Sequence, residues 1–250
     1  MKKLDVIITS EHRCGSRWLH YMMADLLGKS VSPERDGQKV MKSETEVQGF
    51  LSDNRIAKYH HGTPESILTG LVPHTYKLVG MVRNPRDRGV SRAFHDFYHR
   101  KHDYQVKQVA TTDFEAVQWV VLESAPFMPD NWRQNNELML YGYSTRNKLY
   151  TDLPYIWTTY EWMLEDTLRE VTAILRFLGV KVTKGHAQIV DSHSFKNKSG
   201  RNPGKEARQN TWRRKGTFGD WINWYNEEML SATADVQECY WRQLIINGGR

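Results

Sequence analysis

Short apolar runs rich in β-branched residues alternate along the chain with longer segments in which apolar residues recur at helical spacing. The first apolar run covers residues 4–9, which we predict to form a buried strand of a parallel sheet. A helix is predicted over residues 16–27, where apolar residues recur every three or four positions until Gly28 ends the pattern. This alternation predicts an α/β fold.

The same pattern continues through the first 180 residues or so of the chain. Further strands are predicted over residues 55–59, 77–82 and 155–160, and a second helix over residues 166–178, ending at Gly179. The inward face of that helix is predicted to consist of Leu168, Val171, Ile174, Leu175 and Leu178. The expected architecture is a three-layer α/β/α arrangement with a central parallel sheet.

Composition adds a size and a charge to this picture. The chain has 250 residues and no Pro/Gly/Ser-rich linker, so we predict a single domain over residues 1–250. A net charge of +6 indicates an anionic partner: nucleic acid, an anionic lipid surface or a multiply phosphorylated cofactor. The basic residues concentrate in residues 83–101 and 196–215, beside glycines and turn residues, which favours a compact anion pocket over an extended nucleic-acid track.

Cysteine content and hydropathy bear on the compartment. Cys14 and Cys239 are too few for a metal cluster or a disulfide framework, which fits a reducing compartment. No apolar stretch approaches the roughly 18 residues of a membrane span, and the N-terminal run is too short for a signal peptide. We therefore expect a soluble, cytoplasmic protein. Residues 191–209, rich in Lys, Asn, Ser, Gly and Arg, are predicted to form a mobile loop.

Three stretches combine guanidinium or ammonium donors with small or turn residues, as a site that binds a phosphate requires. They are residues 13–18 (RCGSRW), 83–91 (RNPRDRGVS) and 214–221 (RKGTFGDW). The first lies between a predicted strand and a predicted helix, where a glycine lets the backbone approach an anion and the helix N-terminus supplies free N–H groups. Together the stretches predict that the chain binds a phosphate group.

In this order and in these positions, the three stretches resemble the PAPS-dependent sulfotransferases. Those enzymes move a sulfuryl group from 3′-phosphoadenosine-5′-phosphosulfate (PAPS) to a hydroxyl or amine. Residues 214–221 match the family's RKGxxGDW segment letter for letter, and residues 11–18 read EHRCGSRW where the family commonly has YPKSGTTW. Arg13 therefore stands at the position of the family's loop Lys and supplies the same charge on a planar, always protonated fork. The resemblance spans nearly the whole chain and implies a P-loop NTPase-like sulfotransferase fold.

The resemblance also implies which residues contact the cofactor. The loop after the first strand is expected to bind the 5′-phosphosulfate through Arg13, Cys14, Gly15, Ser16 and Arg17. The residues expected to bind the 3′-phosphate are Arg83, Ser91, Arg214, Lys215 and Gly216. The residues expected around the adenine are Trp18, Tyr160 and Trp212, whose flat rings can stack on it, and the Tyr160 phenol can form a hydrogen bond. Taken without the resemblance, Ser16 is equally consistent with an ordinary helix N-cap and Trp18 with a core residue.

The catalytic residues implied by the resemblance are His60, Lys58 and Arg13. The family carries a Lys-x-His after its second core strand, with the His as base, and Lys58 and His60 match it. A histidine can accept a proton near neutral pH. His61 is the rival, and on strand-like backbone the two rings would point to opposite faces. Two surface histidines with no catalytic role remain the alternative.

We expect no metal, because positive side chains can supply the charge that sulfuryl transfer needs. His95 and His99 lie one helical turn apart, but no cysteine or HExxH motif accompanies them, and neighbouring Arg and Lys side chains would repel a cation. A P-loop kinase or NTPase is the alternative enzyme, although the loop lacks GxxxxGK[ST]. A basic nucleic-acid-binding protein is the non-enzymatic alternative. The expected acceptor is a small metabolite, with a carbohydrate or peptide and the oligomeric state left open.

Overall fold

The computed structural model describes residues 5–31, 56–60, 76–98, 106, 109–125, 155–207 and 213–247. The chain divides into two compact units. The first comprises Met1–Val82 and Gln134–Ser194, and the second comprises Arg83–Arg133 and Phe195–Arg250. All the described strands lie in the first unit, and the regular secondary structure described in the second is helical. The single domain expected over residues 1–250 stays a prediction.

The first unit is built on a parallel sheet with the strand order β2-β1-β3-β4. Its strands are β1 (Asp5–Ser10), β2 (Ala57–His60), β3 (Tyr76–Val82) and β4 (Tyr155–Thr159). Ser10, the last residue of β1, lies opposite His60 at the end of β2 and opposite Met81 near the end of β3. The carboxyl ends of the strands therefore share one edge of the sheet, where ligands of open parallel sheets bind.

Each predicted strand overlaps an observed one, with small shifts at the ends. The largest consequence concerns Tyr160, which was expected to end the fourth strand and instead begins a helix. The hydroxyl of Thr159 accepts a hydrogen bond from the Trp162 N–H at 3.0 Å and so caps that helix. The helix start falls at Tyr160 because this cap satisfies an N–H of its first turn.

Nine described α-helices and one 3₁₀ helix complete the architecture. They are α1 (Ser16–Leu27), α2 (Pro85–Tyr98), α3 (Asp113–Ser124), α4 (Tyr160–Glu165), α5 (Thr167–Leu178), α6 (Lys184–Ser192), α7 (Phe195–Ser199), the 3₁₀ helix (Asp220–Asn223), α8 (Glu227–Ala232) and α9 (Ala234–Asn247).

Glycine ends the two helices of the first unit that the sequence predicts. Gly28 after α1 and Gly179 after α5 both adopt the left-handed conformation, which costs glycine nothing. The bounds of α1 agree with the predicted 16–27. In α5 the prediction for Leu168 is wrong, since this side chain is 43% exposed. It lies in the first turn, beside exposed Asp166 and Arg169, beyond the end of the buried stripe.

The core of the first unit lies between one face of the sheet and the helices that cover it. Apolar side chains of β1 and β3 pack against the buried faces of α1 and α5. The residues at the centre of this core are Val6, Ile8, Val79, Met81, Leu19, Met22, Met23, Leu26, Val171, Ile174, Leu175 and Leu178. The parallel sheet with helices confirms the predicted α/β class.

The second unit has a core of its own, formed by α2, α3 and α8. Its buried side chains include Val90, Phe94, Val117, Val121 and Met229. The prediction of a loop over residues 191–209 is wrong for residues 191–192 and 195–199, because α6 extends to Ser192 and α7 spans Phe195–Ser199, whereas residues 200–207 lie in no helix or strand. The lysines of α7 lie on an exposed helical face, while the partly buried Phe195 anchors it. No helix in the described part of the chain is both long enough and apolar enough to span a membrane.

Candidate cofactor site

The loop between β1 and α1 owes its shape to two left-handed residues. Gly15 has φ 87°, and Arg13 has φ 69°, which is unusual for a residue with a side chain and costs about 1–2 kcal/mol. Gly15 is also the N-cap of α1, and no side chain caps the first turn of that helix. Ser16 is therefore the first helical residue and not the N-cap of the alternative interpretation. A turn with left-handed residues that leads into a helix N-terminus is a common site for an anion, because the first N–H groups of a helix have no partner within the helix.

Gly15 lies directly under the ring of Tyr160. A methyl group at Gly15 would come within 2.7 Å of Tyr160 Cδ2 and 3.1 Å of Met81 Cε. The Tyr160 ring meets Trp18 edge to face, with ring centroids 6.1 Å apart. The Trp18 indole N–H donates to the His193 carbonyl oxygen at 2.8 Å, which fixes the indole. Three of the residues predicted to contact cofactor, Gly15, Trp18 and Tyr160, are therefore brought together.

The other predicted residues of the first unit differ in how much the structure says of them. Cys14 and Ser16 are buried, whereas Arg13 and Arg17 are partly exposed and so accessible to a ligand. Lys58 and His60 are described by their backbone alone: both lie on β2, and His60 pairs with Ser10 immediately before the loop. His61 and Trp212 lie outside the described residues.

Arg83, Ser91 and Arg214, all predicted to bind the 3′-phosphate, lie on α2, next to it or against one of its residues. Arg83, 8% exposed, precedes this helix, and Ser91 lies on it. Phe94 follows Ser91 by three positions, so the two share a helix face. The Arg214 guanidinium carbon lies 4.2 Å from the centroid of the Phe94 ring. Arg214 is thus held over the helix face that carries Ser91.

An ion-pair network centred on Asp220 holds Arg214 and Lys215. Arg214 donates one guanidinium N–H to Glu206 and another to Asp220, and Lys215 Nζ donates to Asp220 Oδ1 at 2.5 Å. Asn223 adds a further donor to Asp220 at 3.1 Å. Burial raises the pKa of Asp220, but the hydrogen bonds from Lys215 and Arg214 outweigh it and bring the pKa down to about 2. Asp220 is therefore ionised at neutral pH and fixes the shape of this segment.

Gly216 is required for the same segment to pack. It has φ 66°, and a methyl group at this position would overlap the ring of Phe195. Two backbone hydrogen bonds join residues 204–207 to residues 214–215. The Gly204 N–H donates to Lys215 O at 2.8 Å, and the Ala207 N–H donates to Arg214 O at 2.9 Å. Residues 204–207 and 213–221, which we call the strap, are therefore a folded segment.

Two carboxylates of this region were missed by the sequence reasoning. Glu206 is the single acidic residue among residues 196–215, a signal that could have marked it as a partner for the surrounding cations. Asp87 lies inside the stretch 83–91, which was predicted to bind phosphate on the strength of its basic residues. Within the described residues, no group of three or more His, Cys, Asp or Glu side chains could hold a metal ion.

The family model of the sulfotransferase domain matches residues 3–244. The chain belongs to the sulfotransferase family. This sulfotransferase is 24% identical over 257 residues to cytosolic sulfotransferase 6 of Arabidopsis thaliana, in a match that covers 90% of this chain and 74% of that protein. It is 25% identical over 256 residues to cytosolic sulfotransferase 5 of the same plant, covering 90% and 76%.

Solved structures support the fold of this sulfotransferase. Mouse sulfotransferase SULT7A1, complexed with PAP, matches with a TM-score of 0.61 at 20% identity, covering 96% of this chain and 88% of that one. Retinol dehydratase, in complex with androsterone and the inactive cofactor PAP, matches with a TM-score of 0.56 at 18% identity, covering 96% and 80%. The predictions of a sulfotransferase fold and of sulfuryl transfer from PAPS are confirmed. The roles of individual residues stay predictions.

Proposed function

We propose that this sulfotransferase transfers the sulfuryl group of PAPS to a hydroxyl or amine of a small metabolite, with His60 as the base. The family match over residues 3–244 carries the reaction type. The acceptor class is supported by retinol dehydratase, a structural neighbour whose complex contains the small molecule androsterone. The names of both plant relatives support a cytoplasmic location.

The loop of the first unit fits the 5′-phosphosulfate. Left-handed residues such as Arg13 and Gly15 are typical of turns whose backbone N–H groups bind an anion, and Gly15 allows this turn to pack against Tyr160. Arg13 and Arg17 supply positive charge, which stabilises negative charge that develops on the equatorial oxygens during transfer. Trp18 and Tyr160 provide aromatic surface beside the loop for the adenine.

The strap and helix α2, both in the second unit, carry donors that fit the 3′-phosphate. Arg83, Ser91, Arg214 and Lys215 offer guanidinium, hydroxyl and ammonium donors, a set that matches a phosphate dianion. Among the described residues, the Arg214 guanidinium donates to Glu206 and Asp220, and its five N–H groups allow it to donate to a phosphate as well. PAPS, when bound, supplies the activated sulfuryl group.

His60 is the proposed base because of its place in the sheet. It ends β2 next to Ser10, and so its backbone lies beside the start of the phosphosulfate loop. A neutral imidazole there would take the proton from the acceptor hydroxyl or amine as the nucleophile attacks sulfur. Lys58, two residues earlier, would lend positive charge to the departing bisphosphate.

The test is transfer of sulfate from PAPS to an aliphatic alcohol or amine acceptor in the presence of EDTA. His60→Ala should lower the transfer rate by about a hundred- to ten-thousandfold, the usual range for a positioned general base. His61→Ala is the matched control and should retain most activity. An active His60→Ala with an inactive His61→Ala would assign the base to His61, and loss of wild-type activity on chelation would contradict the metal-free mechanism.

A further inference from the structure

Asp87 connects two stretches that the sequence presents as separate motifs. It lies in the first turn of α2, within residues 83–91, and is 2% exposed. Its Oδ2 accepts a hydrogen bond from the Gly219 N–H at 2.6 Å, and its Oδ1 accepts one from the Trp221 N–H at 3.1 Å. Both carboxylate oxygens are therefore bonded to the backbone of the strap.

The two N–H groups that Asp87 accepts from flank Asp220. Gly219 is left-handed with φ 77°, and the 3₁₀ helix begins at Asp220. Asp220 in turn binds Arg214 and Lys215 through its own carboxylate. Fixing the backbone on each side of Asp220 fixes its carboxylate, and with it the two cations that the family assigns to the 3′-phosphate.

Arg86, the neighbour of Asp87, contacts the other side of the same turn. Its guanidinium carbon lies 4.8 Å from the centroid of a Trp221 ring, and its Nε donates to Thr233 Oγ1 at 3.1 Å. The Tyr225 hydroxyl donates to the Arg86 carbonyl oxygen at 3.3 Å. The first turn of α2 thus grips the strap through a charged hydrogen bond at Asp87 and through ring contacts at Arg86.

We propose that Asp87 is a positioning residue for recognition of the 3′-phosphate. It acts through the Gly219 and Trp221 amides on Asp220, and through Asp220 on Arg214 and Lys215. Its carboxylate is engaged with backbone amides and carries the same charge as the phosphate, so it is not itself a phosphate ligand. The inference rests on the proposed cofactor site.

The experiment measures the affinities for PAP and AMP, which differ in the 3′-phosphate, by calorimetry. Asp87→Asn keeps the size of the side chain but leaves an amide NH₂ facing one backbone N–H. We expect PAP affinity to fall by about tenfold, in the range for a lost charge-assisted hydrogen bond, and AMP affinity to stay unchanged. In the double variant with Arg214→Ala, the two losses should not add, because both act through the same cation.

Asp166→Asn is the matched control. Asp166 also accepts a backbone N–H at a helix N-terminus, from Arg169 at 2.9 Å, but it belongs to the first unit, whereas the strap belongs to the second. This variant should bind PAP like the wild type. Asp87→Glu, which keeps the charge and displaces it by one methylene, should give a smaller, 3′-phosphate-specific loss and replaces Asp87→Asn if that variant does not fold.

Equal losses for PAP and AMP would overturn the inference, because they would assign Asp87 to general stability. Additive losses with Arg214→Ala would also overturn it. A wild type that does not discriminate between PAP and AMP would reject the proposed cofactor site itself. A wild type that discriminates, with unchanged selectivity in Asp87→Asn, would reject the role of Asp87 alone.

Discussion

The phosphosulfate loop and the strap are both predicted to bind phosphate, but they are built on different physical principles. In the loop, residues 11–18, backbone conformation sets the shape: Arg13 and Gly15 are left-handed, and no side chain caps α1. In the strap, charged side chains set the shape around the buried Asp220. The loop depends on the volume at Gly15, whereas the strap depends on a balance of charge in addition to the volume at Gly216.

This difference determines which changes each site tolerates. Added volume at Gly15 meets the Tyr160 ring at once, whereas a changed charge nearby leaves the backbone N–H groups in place. In the strap, the formal charges of Arg214 and Lys215 are matched by those of Glu206 and Asp220. A phosphate bound there competes with carboxylates already present, and so its affinity should respond to single charges.

Gly15→Ala should have the largest effect. The left-handed conformation and the overlap with Tyr160 together cost about 3 kcal/mol, and a loop that relaxes to avoid this cost loses its shape. Both PAP and AMP carry the 5′-phosphate, so we expect affinity for each to fall by about a hundredfold in calorimetry.

Gly28→Ala is the control for Gly15→Ala. Gly28 is also left-handed, at φ 60°, but among the described residues no atom beyond its chain neighbours lies within 4 Å of an added methyl group there. It should lower stability without changing nucleotide affinity. If Gly15→Ala weakened PAP alone and spared AMP, the loop would not be the 5′-phosphate site.

Glu206→Gln should have a smaller effect, of opposite sign. Removing this charge leaves Arg214 with one carboxylate partner in place of two, so the positive charge available to the 3′-phosphate increases. We expect affinity for PAP to rise by about two- to fivefold and affinity for AMP to be unchanged, since a partly exposed charge contributes up to about 1 kcal/mol. Competition binding with both nucleotides measures the difference.

Glu238→Gln serves as the control for Glu206→Gln, because Glu238 forms an exposed ion pair with Arg242 on α9. It should leave PAP binding unchanged. A weaker affinity for PAP in Glu206→Gln would mean that Glu206 orients Arg214 for the phosphate and does not compete with it.

Local signals in the sequence were sufficient for much of the first unit. The helical repeat and Gly28 predicted the bounds of α1, because a helix end is decided by residues within one turn of it. The apolar repeat also predicted four buried residues of α5, Val171, Ile174, Leu175 and Leu178, but it wrongly included Leu168 and missed the buried Glu170. The motif at residues 13–18 correctly placed a loop between β1 and α1.

The strap could not be predicted in the same way, because its contacts join residues far apart in the chain. Asp87 accepts hydrogen bonds from the N–H groups of Gly219 and Trp221, more than 130 positions away in the chain, and no local pattern around Asp87 predicts these contacts. Phe195 looked like part of a polar loop, yet it packs on Gly216. Composition described residues 191–209 as mobile since it does not register such long-range contacts.

The most direct test of the cofactor site is a calorimetric titration of the wild type and Arg214→Ala with PAP and with AMP. We expect the wild type to bind PAP much more tightly than AMP. We also expect Arg214→Ala to lose about ten- to hundredfold in affinity for PAP, which corresponds to the loss of one charge-assisted hydrogen bond, with little change in affinity for AMP. Equal wild-type affinities for the two nucleotides would contradict the assignment of a 3′-phosphate site to this chain.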